Sequence, residues 1–359
     1  MDSRDDPAQS RITLAAVAAR AGVSPSTASL AFSGRGPVSD ATREKVLATA
    51  REMNYAGPDP RAQSLRRGSS GIVGALISDR IGVSFRDPVL IQTLDGLAEE
   101  LTKIGASLLL IPESESGSVT VATAPIDALV MMCASADAQE SARTLACRGI
   151  PVIQVEGPDI EDAVNIRVDN RGGSRQLAQH LRDLGHTRVA VVTLGVDRHR
   201  RLAPLTPEAE ATATVETTMQ RLHGVREVFP EVGGMIAGSS RVDAGRAAAL
   251  ALLSVERELR PTAIIAQSDL LASGVLAAAE ELGLRVPEDL SVVGFDGIRV
   301  DGLERRLTTV WQPAQGKGLA AGRTVLAMLA GEAVADTDFE VSLILGDTSG
   351  PVPAAAPAA

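Results

Sequence analysis

The sequence predicts two parts with different architectures: an all-α helix-turn-helix head at the N-terminus and a larger α/β core with parallel sheets. Small and apolar residues recur at helical spacing on either side of a Gly-Val turn at residues 22–23. From residue 71 onward, unbroken apolar strands alternate with helical patterns, as is typical of parallel sheets covered on both faces. The chain has 359 residues, enough for two or three domains.

Residues 12–34 (ITLAAVAARAGVSPSTASLAFSG) predict two short helices that cross over a tight turn. Ser24 is placed to cap the second helix, and Pro25 suits its first position. Ser26, Thr27 and Ser29 then give that helix a short polar face. A rigid helix presented in this way fits the major groove of DNA, and an ordinary helical hairpin within a larger core is the alternative.

The remainder of the first 70 residues is predicted as one more helix and a linker. Ser39 is the expected cap of a third helix that runs to about residue 54. The segment 61–67 is too short to be a stable helix alone, so we expect it to order only when something holds it. The predicted boundaries are a disordered N-terminus at 1–10, a head at 11–56 and a hinge segment at 57–70.

The core elements follow in alternation from residue 71. The apolar runs predicted as strands are 72–77, 107–111, 128–132, 152–155, 189–192, 263–266 and 291–295. The helical patterns fall near 88–103, 138–148, 171–185, 241–258, 269–283 and 318–330. A charged loop at 197–213 interrupts the alternation of strands and helices. A short strand at 340–345 is the last predicted element of the core, which spans residues 71–345. The Pro/Ala-rich segment 346–359 is predicted to be a disordered tail.

The charge distribution separates the two parts more sharply than the net charge of −10 indicates. Residues 11–70 hold 9 Lys and Arg against 4 Asp and Glu, a net of +5, whereas residues 71–359 hold 25 against 38, a net of −13. A basic head on an acidic body is a common arrangement for a protein whose head binds DNA phosphates.

Several function classes find no support in the sequence. Cys133 and Cys147 are the only cysteines, and both are interpreted as packing residues rather than as a disulfide or metal site. The sequence predicts no cofactor, because no G-x-G-x-x-G follows the first strand and no nucleophile elbow or metal cluster stands out. No apolar run reaches membrane length, and the start of the chain is acidic and polar, so we expect a cytoplasmic protein without a membrane segment.

Four blocks of sequence carry a strong resemblance to a known family. They are residues 13–29, VSDATREKV at 38–46, AQSLRRG at 62–68, and PTAIIAQSDLLASGVLAAAEELGLRVPEDLSVVGFD at 261–296 followed by LTTVWQP at 307–313. Over residues 11–345 the chain resembles the lactose-repressor (LacI/GalR) family of bacterial transcription regulators. This resemblance implies a core like a periplasmic sugar-binding protein, with two α/β lobes, crossover strands and a ligand in the cleft.

The resemblance also implies which head residues contact DNA. Pro25, Ser26 and Leu30 match positions that read base edges; Pro25 lacks a side-chain donor, and Leu30 offers only apolar contact, for instance to a thymine methyl. The positions that match phosphate contacts, which orient a protein without reading sequence, are Thr13, Thr27, Ser29, Ser39 and Tyr55. Thr13 and Ser39 can equally be helix caps, and both roles can coexist at a helix N-terminus.

In the hinge segment, Leu65 matches the family's minor-groove wedge, with Ala62 beside it and Arg66 placed to reach the minor groove or a phosphate. A lone Leu is more often a core residue, but this one lies in a polar, Arg-rich linker. The linker between Tyr55 and the hinge is one residue longer than the usual pattern, which can alter the spacing of half-sites.

In the core, the resemblance places effector contacts at five positions: Glu156, Arg221, Ser268, Asp296 and Trp311. Asp296 ends a predicted buried strand, and a carboxylate there points into the usual ligand crevice. The alternatives to effector binding are purely structural roles: a loop cap for Asp296, a surface salt bridge for Arg221 and packing for Trp311. Where family members often carry Asn-Pro and two aromatic residues, this chain has Asp87-Pro88-Val89-Leu90, which leaves the effector class open.

These observations together predict a sequence-specific DNA-binding transcriptional regulator, not an enzyme. We expect a repressor that binds a pseudo-palindromic double-stranded operator as a homodimer, with its affinity controlled by a small-molecule effector, sugar-like or another metabolite. Induction and corepression differ only in sign, and the sequence leaves that sign open. The alternatives are a transporter's solute-binding protein, against which the basic head argues, and an enzyme on the α/β core.

Overall fold

The computed structural model describes residues 12–34, 36–58, 68–77, 81–113, 120–133, 138–161, 163–197, 199 and 201–353. The chain divides into two compact units, Met1–Ser70 and Gly71–Ala359. The predictions for residues 1–10 and for the hinge residues Ala62, Leu65 and Arg66 lie outside the described residues.

Within residues 12–34 and 36–58, which the structure describes, the head contains three helices: α1 (Leu14–Ala21), α2 (Pro25–Ser33) and α3 (Asp40–Glu52). Gly22 adopts a left-handed conformation (φ 67°) and ends α1, and the turn that follows leads directly into α2. The hydroxyls of Ser24 and Ser39 accept the backbone N–H of Thr27 and Thr42, so both predicted caps are confirmed. Small side chains let the helices pack closely; the buried residues are Val17, Ala18, Ala21, Ala28, Ala31, Val46 and Ala50.

The core alternates strands and helices. Its strands are β1 (Ile72–Ile77), β2 (Ser107–Pro112), β3 (Ala128–Met132), β4 (Val152–Val155), β5 (Val164–Val168), β6 (Val189–Thr193), β7 (Ala203–Pro204), β8 (Gly233–Ile236), β9 (Ala263–Ala266), β10 (Ser291–Asp296), β11 (Thr308–Trp311), β12 (Thr337–Phe339) and β13 (Ser342–Ile344). Its helices are α4 (Ile81–Ser84), α5 (Pro88–Thr102), α6 (Gln139–Cys147), α7 (Asn170–Asp183), α8 (Pro207–Ala211), α9 (Glu216–Arg226), α10 (Val242–Leu253), α11 (Asp269–Glu281) and α12 (Ala314–Leu329).

Two sheets divide the core into two lobes. The first lobe contains a six-stranded sheet in the order β12-β5-β4-β3-β1-β2, in which every pairing is parallel. The second contains a seven-stranded sheet in the order β13-β11-β10-β9-β6-β8-β7, with antiparallel pairs only at its two edges. Separate apolar clusters fill the two faces of the second sheet, one beneath α10 and α11 and the other beneath α7 and α9.

The chain crosses between the lobes after β5, after β11 and between β12 and β13. Residues just beyond two of these strands meet: Asn170, after β5, and Gln312, after β11, belong to one chain of hydrogen-bonded side chains. This topology confirms the predicted two-lobed α/β core; in open parallel sheets, ligands commonly bind beyond the carboxyl ends of the strands.

All seven predicted apolar strands are present, and the short terminal strand lies within its predicted range. Strands β5, β8, β11 and β12 were not predicted, because polar or glycine residues interrupt their apolar pattern. Helices α4 and α9 were not predicted either, and the predicted loop at 197–213 contains the short elements β7 and α8. The last helix begins at residue 314 rather than 318, directly after Pro313.

The prediction of a disordered tail from residue 346 is wrong for residues 346–353. Thr348 is fully buried, and its hydroxyl donates to the carbonyl of Val292 at 2.7 Å. The Gly350 carbonyl oxygen lies 3.0 Å from Nε2 of the buried His186, and the N–H of Gly350 donates to the hydroxyl of Ser291. The segment orders because it satisfies buried polar groups of the second lobe, which composition alone does not reveal. The packing interpretation of Cys147 is also wrong, because this side chain is exposed.

Candidate DNA-reading surface and interlobe site

Helix α2 presents the predicted base-reading residues on its exposed side. Pro25 and Ser26 are exposed, and Leu30 retains 37 % of its surface, whereas Ala28 and Ala31 on the opposite side are buried. Ser29 and Thr27 are half-buried at the margins of this face. The head therefore leaves the N-terminal half of α2 accessible, as a helix that enters a groove requires.

The predicted phosphate-contacting residues have structural roles of their own. Thr13 accepts the N–H of Ala16 at 3.3 Å and Ser39 that of Thr42, so the capping interpretation holds for both. Tyr55 packs edge-on against Phe32, with 5.7 Å between the ring centroids. These contacts fix the side chains, and their proposed role at phosphates stays a prediction.

A closed ring of hydrogen-bonded side chains occupies the junction of the two lobes. It runs from the end of β4 through the start of α7, across α9 to the end of β10, and back through the segment after β11 to α12. We call it the interlobe ring; its members are Glu156, Asn170, Arg221, Asp296, Gln312 and Lys317. Each member is buried, so each polar group requires the partners that the ring provides.

Arg221 is the centre of the second-lobe half of the ring. Its Nε donates to Oδ1 of Asn170 at 2.8 Å, and its Nη1 donates to the carbonyl of Gln267 and lies 3.5 Å from Oδ1 of Asp296. The guanidinium also stacks on Phe295, 3.7 Å from the ring centroid. Arg221 is only 3 % exposed, so the alternative of a surface salt bridge is wrong.

On the first-lobe side of the ring, Lys317 connects Glu156 and Gln312. Its Nζ contacts Oε2 of Glu156 and donates to Oε1 of Gln312 at 2.6 Å. Gln312 in turn donates from Nε2 to Asp296 at 2.6 Å, and Asn170 donates to Glu156 at 3.1 Å, which closes the ring. The Asp296 side chain therefore joins the ring and does not cap a loop.

Helix α12, which carries Lys317, packs closely against α5 at the glycine next to this lysine. Helix α12 approaches α5 so closely that a Cβ on Gly318 would collide with the carbonyl oxygen of Thr93, and the Thr93 hydroxyl donates to the Ala314 carbonyl at 3.1 Å. Lys317 itself is 1 % exposed, and its Nζ contacts Glu156 and Gln312 at the lobe junction.

Two ring members have strained backbones. Glu156 has φ 50° and Asp296 has φ 123°, both in the region that non-glycine residues rarely adopt. Such strain persists only where the surrounding structure holds it, and it is concentrated at binding sites. Both strained residues carry carboxylates that the sequence analysis had assigned to the effector site.

The carboxyl groups of the site differ in their ionisation. Burial raises the pKa of Asp296 to about 7 despite the attraction of Arg221, and the neighbouring Asp87 adds to the shift. Burial also raises the pKa of Asp87, against hydrogen bonds from Val89 and Leu90. Burial also tends to raise the pKa of Glu156, but the positive charges of Lys317 and Arg221 together hold that pKa below the usual range. One ring carboxyl therefore titrates near neutral pH while the other stays ionised.

We expect Asp296 to make the core less stable as the pH rises from about 4 to about 7. Its folded pKa lies above its ordinary value of 3.8, so in this window the folded state holds a proton that the unfolded state has released. Asp296→Asn removes this titration, so thermal unfolding should show the variant gaining on the parent protein between pH 5 and pH 7.5. A difference in midpoint that stays constant with pH would contradict the shift.

The other two predicted effector residues lie outside the ring. Ser268 caps α11 by accepting the N–H of Leu271 at 3.2 Å, and the hydroxyl of Ser240 donates to it at 2.9 Å. Trp311 is 43 % exposed; it precedes ring member Gln312 and is the register partner of Asp296 in the β10–β11 pair, but its side chain is not a member of the ring. The structure therefore brings together three of the five predicted residues: Glu156, Arg221 and Asp296.

Sequence reasoning missed Asn170, Gln312 and Lys317. Asn170 follows the α7 cap Asp169 and resembles an ordinary helix start, while in the stretch 307–313 only Trp311, and not its neighbour Gln312, matched an effector position. The available signal for Lys317 was its position between glycines at 316 and 318 in a small-residue helix, which indicates close helix packing.

The fold and the site define a class: a helix-turn-helix head attached to a two-lobed core with a polar site between its lobes. The family model for bacterial regulatory proteins of the lacI family matches residues 13–57, and a periplasmic binding protein-like domain matches residues 178–349. An HTH-type transcriptional regulator of Mycolicibacterium smegmatis is 33 % identical over 95 % of this chain and 97 % of its own. The chain belongs to the LacI family of DNA-binding transcriptional regulators, which are not enzymes.

Two solved structures show the same architecture. A lac repressor dimer bound to operator and the anti-inducer ONPF is 26 % identical, with a TM-score of 0.70 over 94 % of this chain and 99 % of that one. A complex of the transcriptional regulator CelR with cellobiose is 25 % identical, with a TM-score of 0.62 over 94 % and 100 %. Within the described part of the chain, no helix has the length and apolar character to cross a membrane.

Proposed function

We propose that this regulator is a repressor that binds a pseudo-palindromic operator as a homodimer and responds to a small-molecule effector at the interlobe ring. The observation that carries the effector site is the ring itself, because it joins side chains of both lobes through six buried hydrogen-bonding groups. A ligand that replaces these contacts changes how the lobes are held together. The proposal places the regulator in the cytoplasm, with residues 11–56 on DNA and 57–70 as the hinge.

The ring favours a polyhydroxylated, sugar-like effector. Arg221, Lys317 and Gln312 offer donors, and the carboxylates Glu156 and Asp296 offer acceptors within one small volume. A hydroxyl both donates and accepts, so adjacent hydroxyls can substitute for either type of partner. The cellobiose complex of CelR supports this class.

Control of DNA binding follows from a difference in effector affinity between two arrangements of the lobes. Coupling of this kind is typically about 1–3 kcal/mol and is reciprocal, so DNA changes effector affinity by the same factor. The operator-bound lac repressor dimer supports the homodimer, with two heads on two half-sites.

Trp311 provides a direct test of effector binding, since it is the only tryptophan and adjoins ring member Gln312. A panel of monosaccharides and disaccharides, including cellobiose and ribose, is titrated against the full chain while Trp311 fluorescence is followed. We expect a saturable change with at least one sugar, absent in Arg221→Ala. No response to any sugar would contradict the sugar-like class.

Leu65→Ala is expected to weaken specific operator binding more than nonspecific DNA binding. The reason is the proposed wedge role, in which two leucines of a dimer partly unstack a central base step and bend the DNA. Titrations with operator and with a scrambled duplex at the same salt concentration measure the two affinities. Equal losses on both duplexes would remove the wedge role.

A further inference from the structure

The base-reading helix of the head lacks the side chains that usually identify bases. Helix α2 has the sequence PSTASLAFS, which contains no charged residue and no Asn or Gln. Two-point hydrogen bonds to guanine or adenine come from Arg, Lys, Asn or Gln, and those to cytosine from Glu or Asp. This helix can therefore contact base edges only through hydroxyls and apolar groups.

Most of its hydroxyls already have partners within the head. Ser24 Oγ lies 2.8 Å from the hydroxyl oxygens of both Ser26 and Thr27. The Ser33 hydroxyl donates to the carbonyl of Leu30 at 3.0 Å. Hydroxyls can also pair with any base, so they discriminate weakly.

Leu30 is the large apolar group that this face presents. It is 37 % exposed, whereas Ala28 and Ala31, which lie on the opposite side of α2, are buried. Its Cδ2 rests against Gly36, where an added Cβ would be 3.0 Å away, and Gly36 adopts φ 92°. Gly36 therefore contacts the isobutyl group of Leu30, part of which remains exposed.

We propose that Leu30 reads the 5-methyl group of a pyrimidine in the major groove, so that the methyl group rather than a hydrogen-bond pattern is recognised at that position. This inference rests on the proposed operator binding. The thymine methyl is the apolar group on a base-pair edge in the major groove. Methylated cytosine carries a methyl group at the same place, so operator affinity should also respond to cytosine methylation.

The test uses an operator obtained by selecting duplexes from a randomised pool with the full chain. Each thymine of a half-site is replaced in turn by uracil, which removes only the methyl group. At the position that Leu30 contacts, we expect a loss of about fourfold per half-site, the value of burying one methylene-sized group. At this position 5-methylcytosine paired with guanine should bind better than unmodified cytosine by a similar factor.

Leu30→Ala supplies the protein variant, with Ile12→Ala as the matched control, because Ile12 is an apolar residue of the head that is 40 % exposed and lies outside α2. In Leu30→Ala the differences between thymine and uracil and between the two cytosines should vanish, whereas Ile12→Ala should retain them. Uracil substitution without effect at every thymine, or an effect that persists in Leu30→Ala, overturns the inference while leaving operator binding intact. Failure to select any duplex would instead overturn the proposed function and this inference with it.

Discussion

Replacing Lys317 by Met is expected to lower the free energy of unfolding by roughly 3–5 kcal/mol, because it leaves the Glu156 carboxylate buried without its cation. Glu156 is 5 % exposed and Lys317 is 1 % exposed, so water cannot replace the lost partner. Urea unfolding of the full chain, followed by circular dichroism, measures the difference. Lys103→Met is the control: that lysine is 57 % exposed, and its buried partner Glu100 keeps a second cation, Arg323, so the loss should cost less than about 1 kcal/mol.

The double variant Lys317→Met, Glu156→Gln distinguishes a charge effect from a packing effect. Gln keeps the acceptor for Asn170 and removes the unpaired charge, so the double variant should recover much of the stability that Lys317→Met loses. Additive losses would show that the two side chains are not coupled, which would contradict the account of the ring.

Asp296→Ala is expected to abolish the effector response and to leave operator binding by the ligand-free protein intact. Asp296 accepts from Gln312 at 2.6 Å and lies beside Arg221, so its removal opens the ring on the second-lobe side. The head, which contacts DNA, is a separate compact unit of the chain. Operator release is measured by fluorescence anisotropy over a range of effector concentrations.

Glu288→Ala serves as the control for this experiment, because it removes an exposed carboxylate from the second lobe. It should give the dose-response of the parent protein. Asp296→Asn keeps the acceptor for Gln312 and should retain part of the response. A normal dose-response in Asp296→Ala would exclude Asp296 from the effector site.

The strands of the core were predictable where burial on both sheet faces produces an unbroken apolar run. Strand β3 (Ala128–Met132) is buried throughout and stands out in the sequence. Strand β5 escaped because Asn165 and Arg167 interrupt the run, although both serve local needs: Asn165 binds backbone groups of Ile160 and Ala163, and Arg167 pairs with exposed aspartates. The periodicity of hydrophobic residues alone cannot distinguish such a strand from a loop.

Members of the interlobe ring were predictable from the sequence only where the residue itself matched a family position. Asp296 and Arg221 were found in that way, and so was Glu156. Lys317 was not, because a single lysine in a helix is normally exposed, and no sequence pattern shows that its Nζ meets Glu156 and Gln312. Those contacts depend on tertiary packing, as does the docking of Thr348 on the second lobe.

The central claim, that this chain reads a specific operator as a dimer, is tested most directly by selecting duplexes from a randomised DNA pool at about physiological salt, where nonspecific binding is weak. The purified full chain is used without ligand and, in parallel, with the sugar that changes Trp311 fluorescence. We predict enrichment of a pseudo-palindrome whose two half-sites carry thymine at matching positions. Enrichment of single half-sites without symmetry would contradict the dimer, and no enrichment under either condition would contradict sequence-specific binding itself.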